Sequence, residues 1–255
     1  MQERRPILKG VYILPNLFTT ASLFTGFWAI ILAANGRFEG SAWAILFSGL
    51  MDGLDGKVAR LTNTTSEFGV QYDSLTDLVA FGVAPGFMAY AWQLKTFGRT
   101  GMAAAFLFAA CAALRLARFN ISTGVTPKKF FVGISTTASG AVLASFVLFQ
   151  RYVPHFLEGA VPLSALLLTV CVALLMVSRV RYYAFKEFGA FTAHRYRYMV
   201  IAMLIFVVLM SAPKLWCFLL GFTYLLSGPV YSYIILPRRA RAAQALQPEE
   251  TRPPA

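Results

Sequence analysis

The chain has 255 residues, 58% of them hydrophobic and only 13% charged, with a mean hydropathy of +0.62. A soluble domain carries about a quarter charged residues, so the composition excludes a water-soluble globule and points to a lipid bilayer. The net charge of +12 does not point to nucleic acid, because the basic residues fall in short clusters between apolar runs, where membrane-orientation signals sit.

The apolar runs are continuous rather than alternating, and several reach the twenty or so residues needed to cross about 30 Å of hydrocarbon. Backbone groups in lipid must be satisfied internally, so such runs are helices and not barrel strands. In chain order, hydropathy predicts eight transmembrane helices, at roughly 14–34, 39–60, 68–93, 101–121, 135–152, 160–178, 198–212 and 214–236. The first is a retained helix rather than a cleaved signal, since no small-residue cleavage site follows its apolar run and further spans succeed it. The seventh is near the lower length limit, which leaves a re-entrant hairpin open. The fold class is therefore all-α, a polytopic membrane helix bundle covering 1–236, and the polar, Pro-rich 237–255 reads as a disordered cytoplasmic tail. Cys111, Cys171 and Cys217 lie inside apolar runs with no metal-binding or disulfide spacing, and read as packing residues.

With the N-terminus in the cytoplasm, the outer loops hold Arg37, Lys95, Arg99, Arg151 and Lys214, and the other eighteen of the 23 basic residues face inward. That asymmetry fits the positive-inside rule. The basic inner segments also attract anionic headgroups of membrane lipids.

All four aspartates of the protein lie within twenty-six residues, at the cytoplasmic end of the second helix and the start of the third: Asp52, Asp55, Asp73 and Asp77. An ionisable residue in a span costs about 2.5–3.5 kcal/mol even on the lenient insertion scale, so four at one level need a compensating partner. Asp52 and Asp55 are three apart and Asp73 and Asp77 four apart, which puts each pair along one helical face. Clustered carboxylates without histidine or thiolate suit Mg²⁺ or Mn²⁺, and Mg²⁺ prefers a few carboxylates plus substrate phosphates. The implied substrate carries a diphosphate. Gly53, Gly56 and Gly69 let a nucleotide approach the backbone, or else let helices pack closely; Arg60, two turns after Asp52, can reach a phosphate or serve as an orientation charge.

These residues form the pattern D-x2-D-G-x2-A-R-x8-G-x3-D-x3-D from Asp52 to Asp77, and it resembles the signature of the CDP-alcohol phosphotransferases at all eight fixed positions. A chance match at a given start is on the order of 10⁻¹⁰ at ordinary residue abundances. Leu14-Pro-Asn-Leu-Phe-Thr19, Phe81-Gly-Val-Ala-Pro-Gly86, Arg115-Leu-Ala-Arg-Phe-Asn120, Leu175-Met-Val-Ser178 and Phe185-Lys186 are similar to segments of the bacterial membrane-embedded phosphatidylserine synthases of that family. One segment departs from them: where those synthases carry F-x-G-L-P-x-P, this chain has Phe131-Val-Gly-Ile-Ser-Thr-Thr137, and both prolines are gone.

The resemblance implies transfer of a phosphatidyl group from CDP-diacylglycerol to L-serine at a cytoplasm-facing site in the bacterial inner membrane. It implies one or, more fully, two divalent ions on Asp52, Asp55, Asp73 and Asp77, with Asp77 as the base beside Asp73. It further implies a nucleotide pocket lined by Gly56, Ala59, Arg60 and Gly69, with Asn16 and Thr19 as additional contacts, and a homodimer. For the acceptor's carboxylate, Arg115, Arg118 and Asn120 at the end of the fourth helix are the candidates, with Lys128 and Lys129 as alternatives.

Glycerol 3-phosphate, inositol phosphate or choline as acceptor would leave the aspartate pattern identical. An ion or proton transporter could also bury carboxylates, but has no need of the glycines, Ala59 and Arg60 at these spacings. The unrelated synthases with an H-x-K nucleophile are excluded, since His155 is followed by Phe-Leu and His194 by Arg-Tyr.

Overall fold

A computed structural model describes residues 13–62, 66–122, 130–183 and 209–232. Within them the chain is helical apart from one short antiparallel pair. The helices are α1 (Ile13–Ala34), α2 (Phe38–Thr62), α3 (Glu67–Asp77), α4 (Ala84–Trp92), α5 (Gly98–Ser122), α6 (Thr136–Phe149), α7 (Val161–Val177) and α8 (Pro213–Val230). The strands β1 (Phe130–Val132) and β2 (Arg181–Tyr183) pair Phe130 with Tyr183 and Val132 with Arg181.

Among the described residues, four stretches are long and apolar enough to cross a bilayer: Asn16–Ala34, Glu67–Trp92, Leu94–Ile121 and His155–Val177. Helix α2 carries Asp52, Asp55, Lys57 and Arg60, and α6 has only 14 residues, yet both pack inside the same bundle. The predicted 198–212 helix and the 237–255 tail lie outside the described residues, except that the chain is helical at 209–211.

Helices α3 and α4 form one span interrupted by a π-helical turn, Leu78–Val83. Its cause is Pro85, near the start of α4. A proline inside a helix removes one N–H and crowds the carbonyl four residues back, here that of Phe81, and a π-turn absorbs the mismatch. The turn is tightly packed against three helices. A Cβ on Gly26 of α1 would stand 2.7 Å from Ala80 Cα, one on Gly82 would stand 3.0 Å from Ala112 Cβ of α5, and one on Gly140 of α6 would stand 3.1 Å from Phe81 Cα. Close backbone approach through small residues is how membrane helices associate without a hydrophobic driving force.

Helix α6 is the centre of the bundle, with Thr136, Ser139, Gly140, Val142, Leu143, Ala144, Ser145, Val147 and Leu148 buried. Its neighbours are α2, the π-turn, α7 and α8. Phe218 of α8 stacks on Phe149 with ring centroids 4.3 Å apart. Polar clasps fix α1 on α2, with Ser22 Oγ 2.7 Å from Ser48 Oγ and Ser41 Oγ donating to Ala29 O at 2.8 Å.

Candidate active site

The antiparallel order of the spans brings the end of α2, the start of α3, the end of α5 and the start of α6 to one end of the bundle. Ser66 opens α3 as its N-cap, its Oγ accepting from Gly69 N at 3.0 Å, and this fixes the entry of the helix that carries Asp73 and Asp77. Asp52, Asp73 and Asp77 then each offer a carboxylate oxygen, and the three oxygens lie within 4.8 Å of one another. Three anions at that spacing repel unless a cation lies among them. The donor set, all carboxylate oxygen, fits a hard divalent ion. Asp77 Oδ1 is buried without a hydrogen-bond partner among the described residues, an open coordinating or proton-accepting position.

Asp55 is turned differently. It is 7% exposed and accepts a hydrogen bond from Thr19 Oγ1 of α1, while its charge still acts on Asp52 and Asp73. Thr19, expected to touch nucleotide, is itself buried, with that hydroxyl spent on Asp55. Asn16, one turn earlier, is half-buried, and its Oδ1 lies 3.8 Å from where a Cβ on Gly69 would stand, so these two expected nucleotide contacts are neighbours. Nothing lies within 4 Å of a Cβ placed on Gly53, leaving open space beside Asp52. Gly56 is half-buried one turn beyond Asp52. Ala59 and Arg60 continue α2, and their side chains lie outside the described residues, as do Lys128 and Lys129.

The three acceptor candidates separate. Arg115 turns inward, Nη1 donating to Thr136 Oγ1 at 2.7 Å, with its charge acting on Asp77 and on Tyr224 of α8. Its Nε is buried without a partner among the described residues. Arg118, three residues on, turns outward and donates from Nη1 to Val177 O at 3.2 Å. Asn120 ties α5 to α3, its Nδ2 donating to Ser74 Oγ at 3.0 Å and to Gln71 Oε1 at 3.3 Å. It braces the helix that bears Asp73 and Asp77.

Residues 12–177 match the family model of the CDP-alcohol phosphatidyltransferases. The chain belongs to the CDP-alcohol phosphatidyltransferase family. Curated relatives include a CDP-diacylglycerol–serine O-phosphatidyltransferase of Helicobacter pylori, 46% identical over 180 residues that cover 71% of this chain and 76% of the relative. An enzyme of the same name from Mycobacterium leprae is 40% identical over 146 residues, covering 55% of this chain and 47% of the relative. An archaetidylserine synthase of Methanothermobacter thermautotrophicus is 32% identical over 182 residues, 71% of this chain and 73% of that one. This CDP-alcohol phosphatidyltransferase is an integral membrane protein, and its four aspartates all lie within the matched segment.

Three polar groups at the site were not singled out from sequence. Thr137 acts on the Asp52 carboxylate, Thr136 holds Arg115, and Tyr72 Oη lies 3.0 Å from Thr20 Oγ1 across α3 and α1. For the threonines a signal existed: they occupy the stretch where the resembling synthases carry two prolines. Tyr72, beside Asp73, had none.

Proposed function

We propose that this protein transfers the phosphatidyl group of CDP-diacylglycerol to the hydroxyl of L-serine, giving phosphatidylserine and CMP at the cytoplasmic face of a bacterial inner membrane. The observation that carries the acceptor is a pair of buried atoms at the carboxylate cluster that have no hydrogen-bond partner among the described residues: Arg115 Nε, a cationic donor, and Asp77 Oδ1, an anionic acceptor. A small zwitterion with a hydroxyl satisfies both at once, its carboxylate on Arg115 and its hydroxyl proton on Asp77. The names of the bacterial relatives support the same acceptor.

Asp52, Asp73 and Asp77, with Asp55 held beside them by Thr19, are the residues to hold Mg²⁺ or Mn²⁺, two ions when the set is full. Such an ion supplies neutralising charge at the diphosphate. Asn16, Gly56, Ala59, Arg60 and Gly69 bound the cytidine diphosphate, whose acyl chains remain in the bilayer. Arg115 orients serine, and Asp77 takes its hydroxyl proton. The serine oxygen bonds to the phosphorus that carries diacylglycerol, the bond from that phosphorus to the CMP oxygen breaks, and CMP leaves with the electron pair. The catalytic unit spans 1–236 and works as a homodimer, with the tail outside it.

The test is purified protein in detergent with CDP-diacylglycerol and radiolabelled serine, with and without EDTA. Labelled phosphatidylserine and equimolar CMP are expected, both lost with EDTA and restored by Mn²⁺ or Mg²⁺. CMP release with glycerol 3-phosphate, inositol phosphate or choline but not with serine rejects the acceptor assignment.

A further inference from the structure

Helix α6 begins on an anchored platform. Gly133, at φ +79°, sits where a Cβ would meet Met176 O at 2.4 Å, and its N–H donates to Val180 O at 2.8 Å. Ser135 caps the helix, its Oγ accepting from Ala138 N at 3.0 Å. The strand pair β1–β2 ties the same stretch to the far side of α7. The first turn of α6 is thus fixed from three directions before it touches the site.

Two consecutive hydroxyls project from that turn, and successive helical residues point about 100° apart. Thr136, 1% exposed, faces α5 and accepts from Arg115 Nη1 at 2.7 Å. Thr137 faces α2: its Cγ2 lies 3.5 Å from where a Cβ on Gly49 would stand, and its side chain acts on Asp52, three residues further along the same helix face. One dipeptide therefore touches both halves of the site, the acceptor arginine and a carboxylate of the cluster. Neither hydroxyl contacts a reacting atom. Each instead restricts the rotamer of a side chain assigned to substrate or metal, and partners of that kind commonly govern ligand affinity and orientation.

We propose that Thr136 and Thr137 are positioning residues that fix the spacing between the acceptor site and the carboxylate cluster, Thr136 by orienting Arg115 and Thr137 by orienting Asp52. The Thr136 half rests on the acceptor reading above. The Thr137 half rests only on the carboxylate cluster.

The two halves are separable with full-length protein in detergent, using Mn²⁺ binding followed by electron paramagnetic resonance without substrate, alongside steady-state CMP release. Thr137→Val, which keeps the shape and removes the hydroxyl, is expected to weaken Mn²⁺ binding about tenfold or more and to leave the KM for serine unchanged. Thr136→Val is expected to raise the KM for serine about tenfold with Mn²⁺ binding retained. Thr137→Ser and Thr136→Ser restore the respective values. Wild-type Mn²⁺ binding in Thr137→Val overturns the Thr137 half, and an unchanged serine KM in Thr136→Val overturns the other. Equal shifts of both parameters in both valine variants, unrescued by serine, mean a packing role and overturn the whole proposal. Should wild type release CMP only with a different acceptor, the functional reading falls, while Mn²⁺ binding by Thr137→Val still decides its half.

Discussion

Asp77 differs from the other aspartates in having a buried oxygen with no hydrogen-bond partner among the described residues while also belonging to the three-carboxylate cluster. That combination suits a proton acceptor facing substrate. Asp77→Asn keeps the volume and removes the base, so kcat for CMP release is expected to fall about 10²–10⁴-fold, and turnover within twofold of wild type would reject the assignment. The arginines make a paired prediction. Arg115→Lys loses the planar fork and is expected to raise the KM for serine about tenfold, with the KM for CDP-diacylglycerol unchanged. Arg118→Lys, on a side chain that turns outward to donate to Val177 O at the end of α7, is expected to leave both constants alone; equal effects of the two substitutions would show that they share the role. From sequence the two are indistinguishable, three residues apart at one helix end. The rotation of α5 against α6 separates them, and no local pattern encodes that rotation. The same holds for Asp55: its spacing from Asp52 is legible, but its turn toward Thr19 depends on how α1 lies on α2.

Periodicity and hydropathy locate the elements well because each span must be continuous. The predicted 14–34 helix is Ile13–Ala34, and the predicted 68–93 helix is the span Glu67–Trp92. The predicted 135–152 helix ends sooner, at Phe149, where the chain tightens into a 3-10 turn at Gln150–Tyr152 ahead of Pro154. What hydropathy cannot register is the π-turn within the third span or the β1–β2 pair, each of which turns on hydrogen bonds rather than apolarity. The π-turn sits directly after Asp77, and its packing fixes how α3 presents that residue. Gly26→Val drives a side chain into Ala80, and is expected to destabilise the protein by about 1–3 kcal/mol through overpacking. Thermal unfolding in detergent checks this. An unaltered midpoint would mean that α1 and the π-turn can separate freely, and the tight contact would then have no part in holding Asp77.

For the whole molecule, the two ends of the bundle differ in chemistry. On the topology predicted from sequence, the end with the aspartates receives eighteen of the 23 basic residues. The opposite end holds an open cavity of about 840 Å³ lined in part by Arg37, Trp43, Trp92, Gln150, Arg151 and His155. Trp92 Nε1 donates to Gln150 Oε1 at 2.9 Å, and Glu39 pairs with Lys214, so charges at this end are partly neutralised within the protein. Tryptophans of this kind mark a headgroup boundary, and the surplus of positive charge marks the cytoplasmic one. The proposed orientation puts the aspartate end in the cytoplasm, where CMP and serine would exchange. Replacing Cys111, Cys171 and Cys217 and introducing single cysteines makes this measurable. Glu67→Cys, on an exposed position beside the Ser66 cap, is expected to react with a membrane-impermeant maleimide only after cells are opened. Glu158→Cys, exposed in the turn before α7, is expected to react in intact cells. The reverse pattern would put the carboxylate cluster outside, away from any source of CDP-diacylglycerol, and would overturn the cytoplasmic placement while leaving the family intact.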